Sequence, residues 1–304
     1  MATESPQQTQ ERMVDVGRGI ELCVQSHGDP AHPTLLLVHG LGMQLVSWPQ
    51  DFVDDLVGRG FHVVRFDNRD IGRSTRPAVP TPGPVQLLRR RFAPSQYVLA
   101  DMAQDTANLV DVLELGRVHV VGVSMGGMIS QTLAARHPEK VRSLVSIMSN
   151  TGHGKSGQPA RSTWFRMAQP PSRSRKASID RNVALFRHIG SPGFPFDEAE
   201  TRASAERAYD RGHDPNGVTR QLGAIMKSGN RTRELATITT PTLVIHGSDD
   251  KMVHASGGRA TAAAIPGARF ESIAGMGHDL PAGARPRIAT MIAEHASAAE
   301  EAVA

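Results

Sequence analysis

Short apolar runs alternate along this chain with stretches in which apolar positions recur at helical spacing. Residues 34–38 (Thr-Leu-Leu-Leu-Val), 62–66, 118–122, 143–148, 242–246 and 269–273 have the length and composition of strands. The unbroken run Leu35-Leu36-Leu37-Val38 has no polar side, which predicts a strand buried on both faces. Upstream, Ile20, Leu22 and Val24 alternate with Glu21, Cys23 and Gln25, the pattern of a half-exposed strand, and 13–16 with 20–26 reads as a hairpin. Helical spacing occupies 50–59 and 98–115, where Leu99, Met102, Thr106, Leu109, Val110 and Leu113 share one side. It returns over 125–136, closed by His137-Pro138, then in a segment ending near 264, and over 284–295. Eight strands alternating with helices predict an α/β architecture, a mostly parallel sheet covered on both faces.

Two stretches break the alternation. Residues 77–96 are rich in proline, carry Arg89-Arg90-Arg91 and are read as an irregular loop. Residues 151–235 mix prolines, arginines and weak helical periodicity, and hold 6 of the chain's 13 aromatic residues. An excursion of that length between two core strands is too long for a loop, so it is read as an inserted helical cap. The expected organisation is a disordered tail over 1–12, a core over 13–150 and 236–304, and a cap over 151–235.

Composition narrows the class. No apolar stretch approaches the ~20 residues of a membrane-spanning helix, and the opening MATESPQQTQ lacks the basic-then-apolar order of a signal peptide. Cys23 is the single cysteine, so neither an internal disulfide nor a cysteine zinc site is available. A cytoplasmic protein is expected. The formal net charge of +4 is unevenly spread: residues 151–235 hold 15 Lys+Arg against 8 Asp+Glu, and the rest holds 19 against 22. The basic part has no nucleic-acid motif and no clustered cations interleaved with aromatics. Solvated helix faces are the simple reading of this excess, and an anionic surface or substrate the other.

The chemistry concentrates where strands end. Gly122-Val123-Ser124-Met125-Gly126 fits G-x-S-x-G between a predicted strand and a predicted helix. A serine on so sharp a turn projects its hydroxyl from the sheet edge, and glycines two positions away leave room for neighbouring backbone. The hydroxyl is a weak nucleophile without a base. His278, in Gly275-Met276-Gly277-His278-Asp279, follows the last predicted strand and returns to the same edge. An acid to orient it comes from Gly247-Ser248-Asp249-Asp250 after the preceding strand; spacing favours Asp250, with Asp249 as the alternative. Backbone N–H groups of Met125 and of Leu41 in His39-Gly40-Leu41-Gly42 are the expected oxyanion donors, with Gly42 the alternative to Leu41. His39 is expected to brace that loop. Trp48 lines an acyl pocket or packs the adjacent helix. Trp164, Phe165, Phe186 and Phe196 roof a substrate or hold the cap together. No P-loop, dinucleotide fingerprint or metal-ligand cluster is found.

Taken together, His39-Gly40-Leu41-Gly42, the segment Asp67-Asn68-Arg69-Asp70-Ile71-Gly72-Arg73-Ser74, the turn at Ser124 and the Asp250 and His278 loops resemble the α/β-hydrolase fold superfamily over roughly residues 13–298. The 67–74 segment and Trp48-Pro49-Gln50-Asp51-Phe52 are similar to the branch containing aclacinomycin methylesterase and mycobacterial lipase/esterase-like proteins. The resemblance implies a serine carboxylesterase with a helical cap and no cofactor, acting on a small-molecule ester. It carries Asp67 and Arg69 over as structural loop residues. Thioester or amide hydrolysis, or cofactor-free perhydrolysis, are the alternatives on the same residues. Nucleic acid is not an expected partner.

Overall fold

The computed structural model describes residues 9–167, 172 and 174–302. Eight strands form one sheet: β1 (Arg12–Asp15), β2 (Glu21–His27), β3 (Thr34–Val38), β4 (His62–Phe66), β5 (Val118–Val123), β6 (Val141–Ile147), β7 (Thr242–Gly247) and β8 (Arg269–Ile273). Their order is β1-β2-β4-β3-β5-β6-β7-β8. β2 runs antiparallel to both neighbours, and β3 through β8 are mutually parallel. The helices are α1 (Gln50–Gly58), α2 (Pro84–Arg89), α3 (Leu99–Val112), α4 (Met125–Arg136), α5 (Arg161–Met167), α6 (Arg175–Ile189), α7 (Glu198–Gly212), α8 (Pro215–Ser228), α9 (Thr232–Leu235), α10 (Ser256–Ala264) and α11 (Arg285–Glu301).

The double-sided burial expected of the central strands has a simple geometric origin. Successive side chains point to opposite faces, so Leu36, Val38, Val64, Val120 and Leu144 join one apolar cluster with Met102 and Leu109 of α3 and Ile129 and Leu133 of α4. Leu35, Leu37, Val63, Val121 and Val145 join the other, with Phe52 and Leu56 of α1 and Ile288 and Ile292 of α11. Because strands β3 to β8 are parallel, their carboxyl ends all lie on one edge, and the loops leaving that edge meet there.

Three expectations change. Residues 77–96 are not wholly irregular: Gly83-Pro84 starts α2, with the Gly83 N–H donating to Gln86 Oε1 at 2.8 Å, proline at the first helical position being compatible with a helix start. The last helix runs to Glu301 because 293–301 is rich in alanine and glutamate, both strong helix formers. Residues 9–12 do not belong to a free tail. The Thr9 N–H donates to the Ser26 carbonyl, Gln25 Nε2 donates to the Thr9 carbonyl, and Arg12 already pairs with Val24. The expected tail over 1–8 lies outside the described residues.

Helices α5 to α9 fall between β6 and β7. Their later part is joined to the core: Ala224 of α8 and Leu235 of α9 belong to the same apolar cluster as α3 and α4. Buried arginines complete the attachment. Arg211 of α7 reaches Asp67 Oδ2 at 2.5 Å and Glu11 at 2.9 Å. Arg220 of α8 lies on Asp70, which also accepts the Tyr97 hydroxyl at 2.6 Å. Part of the positive excess of residues 151–235 is therefore neutralised by carboxylates of the core, a third outcome beside solvated faces and an anionic ligand. Substituting Arg220 by leucine leaves Asp70 buried without its cation, and unfolding in urea is expected to reveal a loss of about 3–5 kcal/mol.

Candidate active site

Ser124 stands between β5 and α4 with φ 54° and ψ −120°. A positive φ at a residue with a Cβ is strained, and persists only where its surroundings enforce it. Here the Ser124 N–H donates to the Ile147 carbonyl at 2.9 Å and its carbonyl accepts the Ser149 hydroxyl at 2.8 Å. The flanking glycines are required by close approach. A Cβ on Gly126 would overlap the Val38 carbonyl, and one on Gly122 would overlap the Gly126 carbonyl and the Ser130 hydroxyl. The turn can thus be this sharp only with glycine at both positions.

His278, from the loop after β8, places Nε2 3.0 Å from Ser124 Oγ and Nδ1 2.7 Å from Asp250 Oδ2. Asp250, from the loop after β7, is buried. Its Oδ1 accepts the Met252 and Val253 N–H groups, each at 2.8 Å, and Oδ2 also lies 3.4 Å from His246 Nε2. Burial weakens its acidity, but the electrostatic pull of the facing His278 imidazole and the hydrogen bonds from His246 and His278 outweigh burial and hold the carboxyl well below the usual carboxylate range. An ionised Asp250 accepts from Nδ1–H, which leaves Nε2 free to accept the serine proton; the network assigns this tautomer. Asp249 takes no part: it is exposed and accepts the Ser248 hydroxyl at 2.5 Å. The structure brings Ser124, His278 and Asp250 into one hydrogen-bonded line.

Met125 is the first residue of α4, where a helix leaves its N–H without an intrahelical acceptor. Gly40 packs beside the serine; a Cβ there would lie 3.2 Å from Ser124 Cβ. The Gly40 N–H is taken by His39 Nδ1 at 2.7 Å, and the Gly42 N–H by Gln221 Oε1 of α8 at 3.0 Å. Among the described residues no acceptor takes the Leu41 N–H. Of the two donors open at the sequence level, the geometry favours Leu41.

His39 is a brace. Besides accepting from Gly40 it packs on Trp48 at 4.7 Å between ring centroids, and its carbonyl accepts from Asn68 Nδ2 at 3.1 Å. Burial, opposed by a hydrogen bond to the Ser47 backbone and reinforced by Arg65, pushes its pKa down to about 3. The unfolded chain therefore takes up a proton near pH ~6.5 that the folded chain refuses until about 3. Stability supplied by the neutral imidazole is present above pH ~6.5 and is lost as the pH falls through that window, at a limiting slope of about 1.4 kcal/mol per pH unit. Melting temperatures from pH ~7 to ~4 are expected to fall less steeply in His39→Asn than in the parent.

The expected pocket residues behave differently. Trp48 is fully buried and stacked on Phe52 with 6.0 Å between centroids, in the cluster of α1 and α11. Trp164 and Phe165 on α5 are 53% and 78% exposed. Phe186 and Phe196 are half-buried, the latter beneath the Arg187 guanidinium at 4.7 Å. A cleft of about 500 Å³ between α6 and α7 is lined by Asp180, Val183, Arg187, Glu198 and Arg202 among others, a charged lining that includes neither these aromatics nor Ser124. The physical reason is local: α6 and α7 meet through ion pairs such as Arg202–Asp180 at 2.7 Å rather than through an aromatic core.

One set of contacts has no signature in the sequence. The loop 275–279 is joined to the segment 189–193 of the insertion. The His278 N–H donates to the Ile189 carbonyl at 2.8 Å, the Gly277 N–H to Ser191 Oγ at 2.8 Å, and the Gly193 N–H to the Gly275 carbonyl at 2.9 Å. The Ser191 hydroxyl in turn donates to Asp279, whose acidity is weakened by burial despite that hydrogen bond and the neighbouring His278. Ser191 lies 86 residues from Gly277, and Gln221 lies 179 from Gly42. Only the tertiary fold unites them.

The family model of the alpha/beta hydrolase fold matches residues 33–281. The chain is 31% identical over 300 residues to the rhodomycin D methylesterase DnrP of Streptomyces peucetius, covering 92% of this chain and 96% of the relative. It is 28% identical over 268 residues to a Yersinia enterocolitica protein provisionally named the carbamate hydrolase RutD, covering 84% of each. Among solved structures, the enol-lactonase from Burkholderia xenovorans LB400 superposes with a TM-score of 0.74 at 22% identity, over 94% of this chain and 100% of that one.

Proposed function

The chain belongs to the α/β-hydrolase family, and on that premise we propose that it hydrolyses a carboxylic ester through Ser124, His278 and Asp250, with a methyl ester as the favoured substrate class. The observation that carries this reading is the contact of Ser124 Oγ with His278 Nε2 at 3.0 Å, with no acceptor among the described residues on the Leu41 and Met125 N–H groups. Ser124 Oγ attacks the ester carbonyl while His278 Nε2 takes its proton. The negative oxygen that forms is held by the N–H groups of Leu41 and Met125, and Asp250 stabilises the imidazolium. Collapse expels the alcohol, protonated by His278, and leaves an acyl group on Ser124. Water, giving a proton to the same histidine, attacks the acyl group and restores the serine.

The methyl ester is drawn from the methylesterase relative, and carbamate hydrolysis from the RutD relative is the competing reading. Initial rates on paired methyl-ester and carbamate substrates sharing one apolar aromatic acyl or leaving group decide between them. Faster turnover of the carbamate sinks the methyl-ester reading. Labelling by a fluorophosphonate, mapped to Ser124 by peptide mass, tests the nucleophile itself.

The bridge through Ser191 gives a separate expectation. Substituting Ser191 by alanine removes the hydroxyl that holds both Gly277 and Asp279. A base displaced by ~1 Å costs up to ~10² in rate. Steady-state kinetics on the same ester are expected to give a kcat lowered by about tenfold to a hundredfold with KM little changed.

A further inference from the structure

The three consecutive arginines at 89–91 are absorbed by neither the fold nor the proposed chemistry. They sit in a stretch, 71–100, that holds five arginines and no aspartate or glutamate. α8, against which this stretch rests, carries Arg220 and Lys227 and no carboxylate. Both ends of the stretch are fixed to α8. Arg220 Nη1 donates to Thr81 Oγ1 at 3.0 Å, Gln96 Nε2 to the Arg220 carbonyl at 2.9 Å, and Lys227 Nζ to the Pro94 and Gln96 carbonyls at 3.1 and 2.6 Å.

Between these anchors α2 is held out into solvent. Val85 and Leu88, one helical turn apart, are 62% and 85% exposed. Arg89, Arg90 and Arg91 are exposed beside them, and among the described residues none has a carboxylate partner. Single exposed apolar residues are ordinary. Arg73, Arg76 and Arg220 are matched by Glu11, Asp214 and Asp70, which leaves the positive charge of this stretch at residues 89–91. An apolar pair flanked by three arginines without a carboxylate partner is the arrangement that suits an anionic lipid surface: the arginines meet headgroup phosphates while Val85 and Leu88 enter the acyl boundary. A second copy of this chain would bring like charges together. Among the described residues no helix is long and apolar enough to cross a membrane, so any such contact through a helix is peripheral.

We propose that α2 and residues 89–91 form a docking surface for an anionic phospholipid membrane. The surface is one helix away from the proposed site, since Gln221 of the same α8 holds the Gly42 N–H. Docking would therefore bring Ser124 near esters dissolved in, or released from, that membrane.

Co-sedimentation of the full chain with vesicles tests this. Binding is expected to phosphatidylglycerol–phosphatidylcholine vesicles and not to phosphatidylcholine alone, with release as ionic strength rises from ~0.1 to ~0.5 M. Replacing Arg89, Arg90 and Arg91 with glutamine is expected to lower partitioning about fivefold per arginine and about a hundredfold together. Val85→Ser with Leu88→Ser is expected to weaken it further, because both side chains enter the lipid. Unchanged circular dichroism shows that these surface variants are folded. Absence of binding, equal binding to neutral vesicles, or indifference to the arginine changes would overturn the proposal. So would binding to soluble polyglutamate that matches the vesicles and ignores the serine changes, an outcome that assigns the surface to an acidic protein. None of these outcomes depends on ester turnover, so the docking surface and the proposed reaction stand or fall separately.

Discussion

Ser124→Ala is expected to lower kcat on any ester the parent turns over by about 10⁴- to 10⁶-fold, while leaving stability close to the parent's. The size follows from losing the covalent route: with no Oγ, His278 has nothing to activate at 3.0 Å, and what survives is the stabilisation of an oxyanion by Leu41 and Met125. Stability is spared because alanine keeps the Cβ that the φ of 54° already accommodates. The hydrogen bonds enforcing that backbone, to Ile147 and from Ser149, use main-chain atoms of residue 124. Burst kinetics and thermal melting of the purified variant check both halves. Turnover retained within about tenfold of the parent would remove Ser124 from the mechanism.

Asp250→Asn is expected to cost about 10⁴ in kcat, and Asp249→Asn less than about threefold. The difference lies in what fixes each side chain. Oδ1 of residue 250 accepts the N–H groups of Met252 and Val253, so an asparagine there keeps its oxygen toward them and turns its NH₂ toward His278. The ring nitrogen facing that NH₂ must then accept, which places the imidazole proton on Nε2, where it meets Ser124 and cannot take a proton from it. Asp249 is exposed and bonded to Ser248, away from the imidazole. Parallel pH–rate profiles for the two variants measure the contrast. Equal effects would mean that the two carboxylates share the task.

The strands that position the site were legible because their burial is a local property. A run such as Leu35 to Val38 can be satisfied only between two covered faces, and residues 34–38 and 62–66 form strands at the expected positions. The Ser124 turn was legible for a related reason: sterics demand glycine at 122 and 126, and the demand is written within five residues. What could not be read is what depends on distant partners. Arg211 and Arg220 looked like surface charge until Asp67 and Asp70 came to meet them. Residues 9–12 looked like tail because the strand that receives them is elsewhere in the chain. The aromatic residues at 164 and 165 suggested a roof by composition alone, and composition carries no direction. In 77–96, proline suggested irregularity although proline is also a helix starter, and α2 occupies its middle.

The joining of loop 275–279 to segment 189–193 makes the insertion part of the support of the base. The atoms that keep His278 aligned are also those that hold this part of the insertion down. A displacement of 189–193 that breaks the bonds of Ile189 and Ser191 to the histidine loop therefore loosens the imidazole facing Ser124. Motion of the insertion and alignment of the base are then one coordinate, and a ligand that stills the first tightens the second.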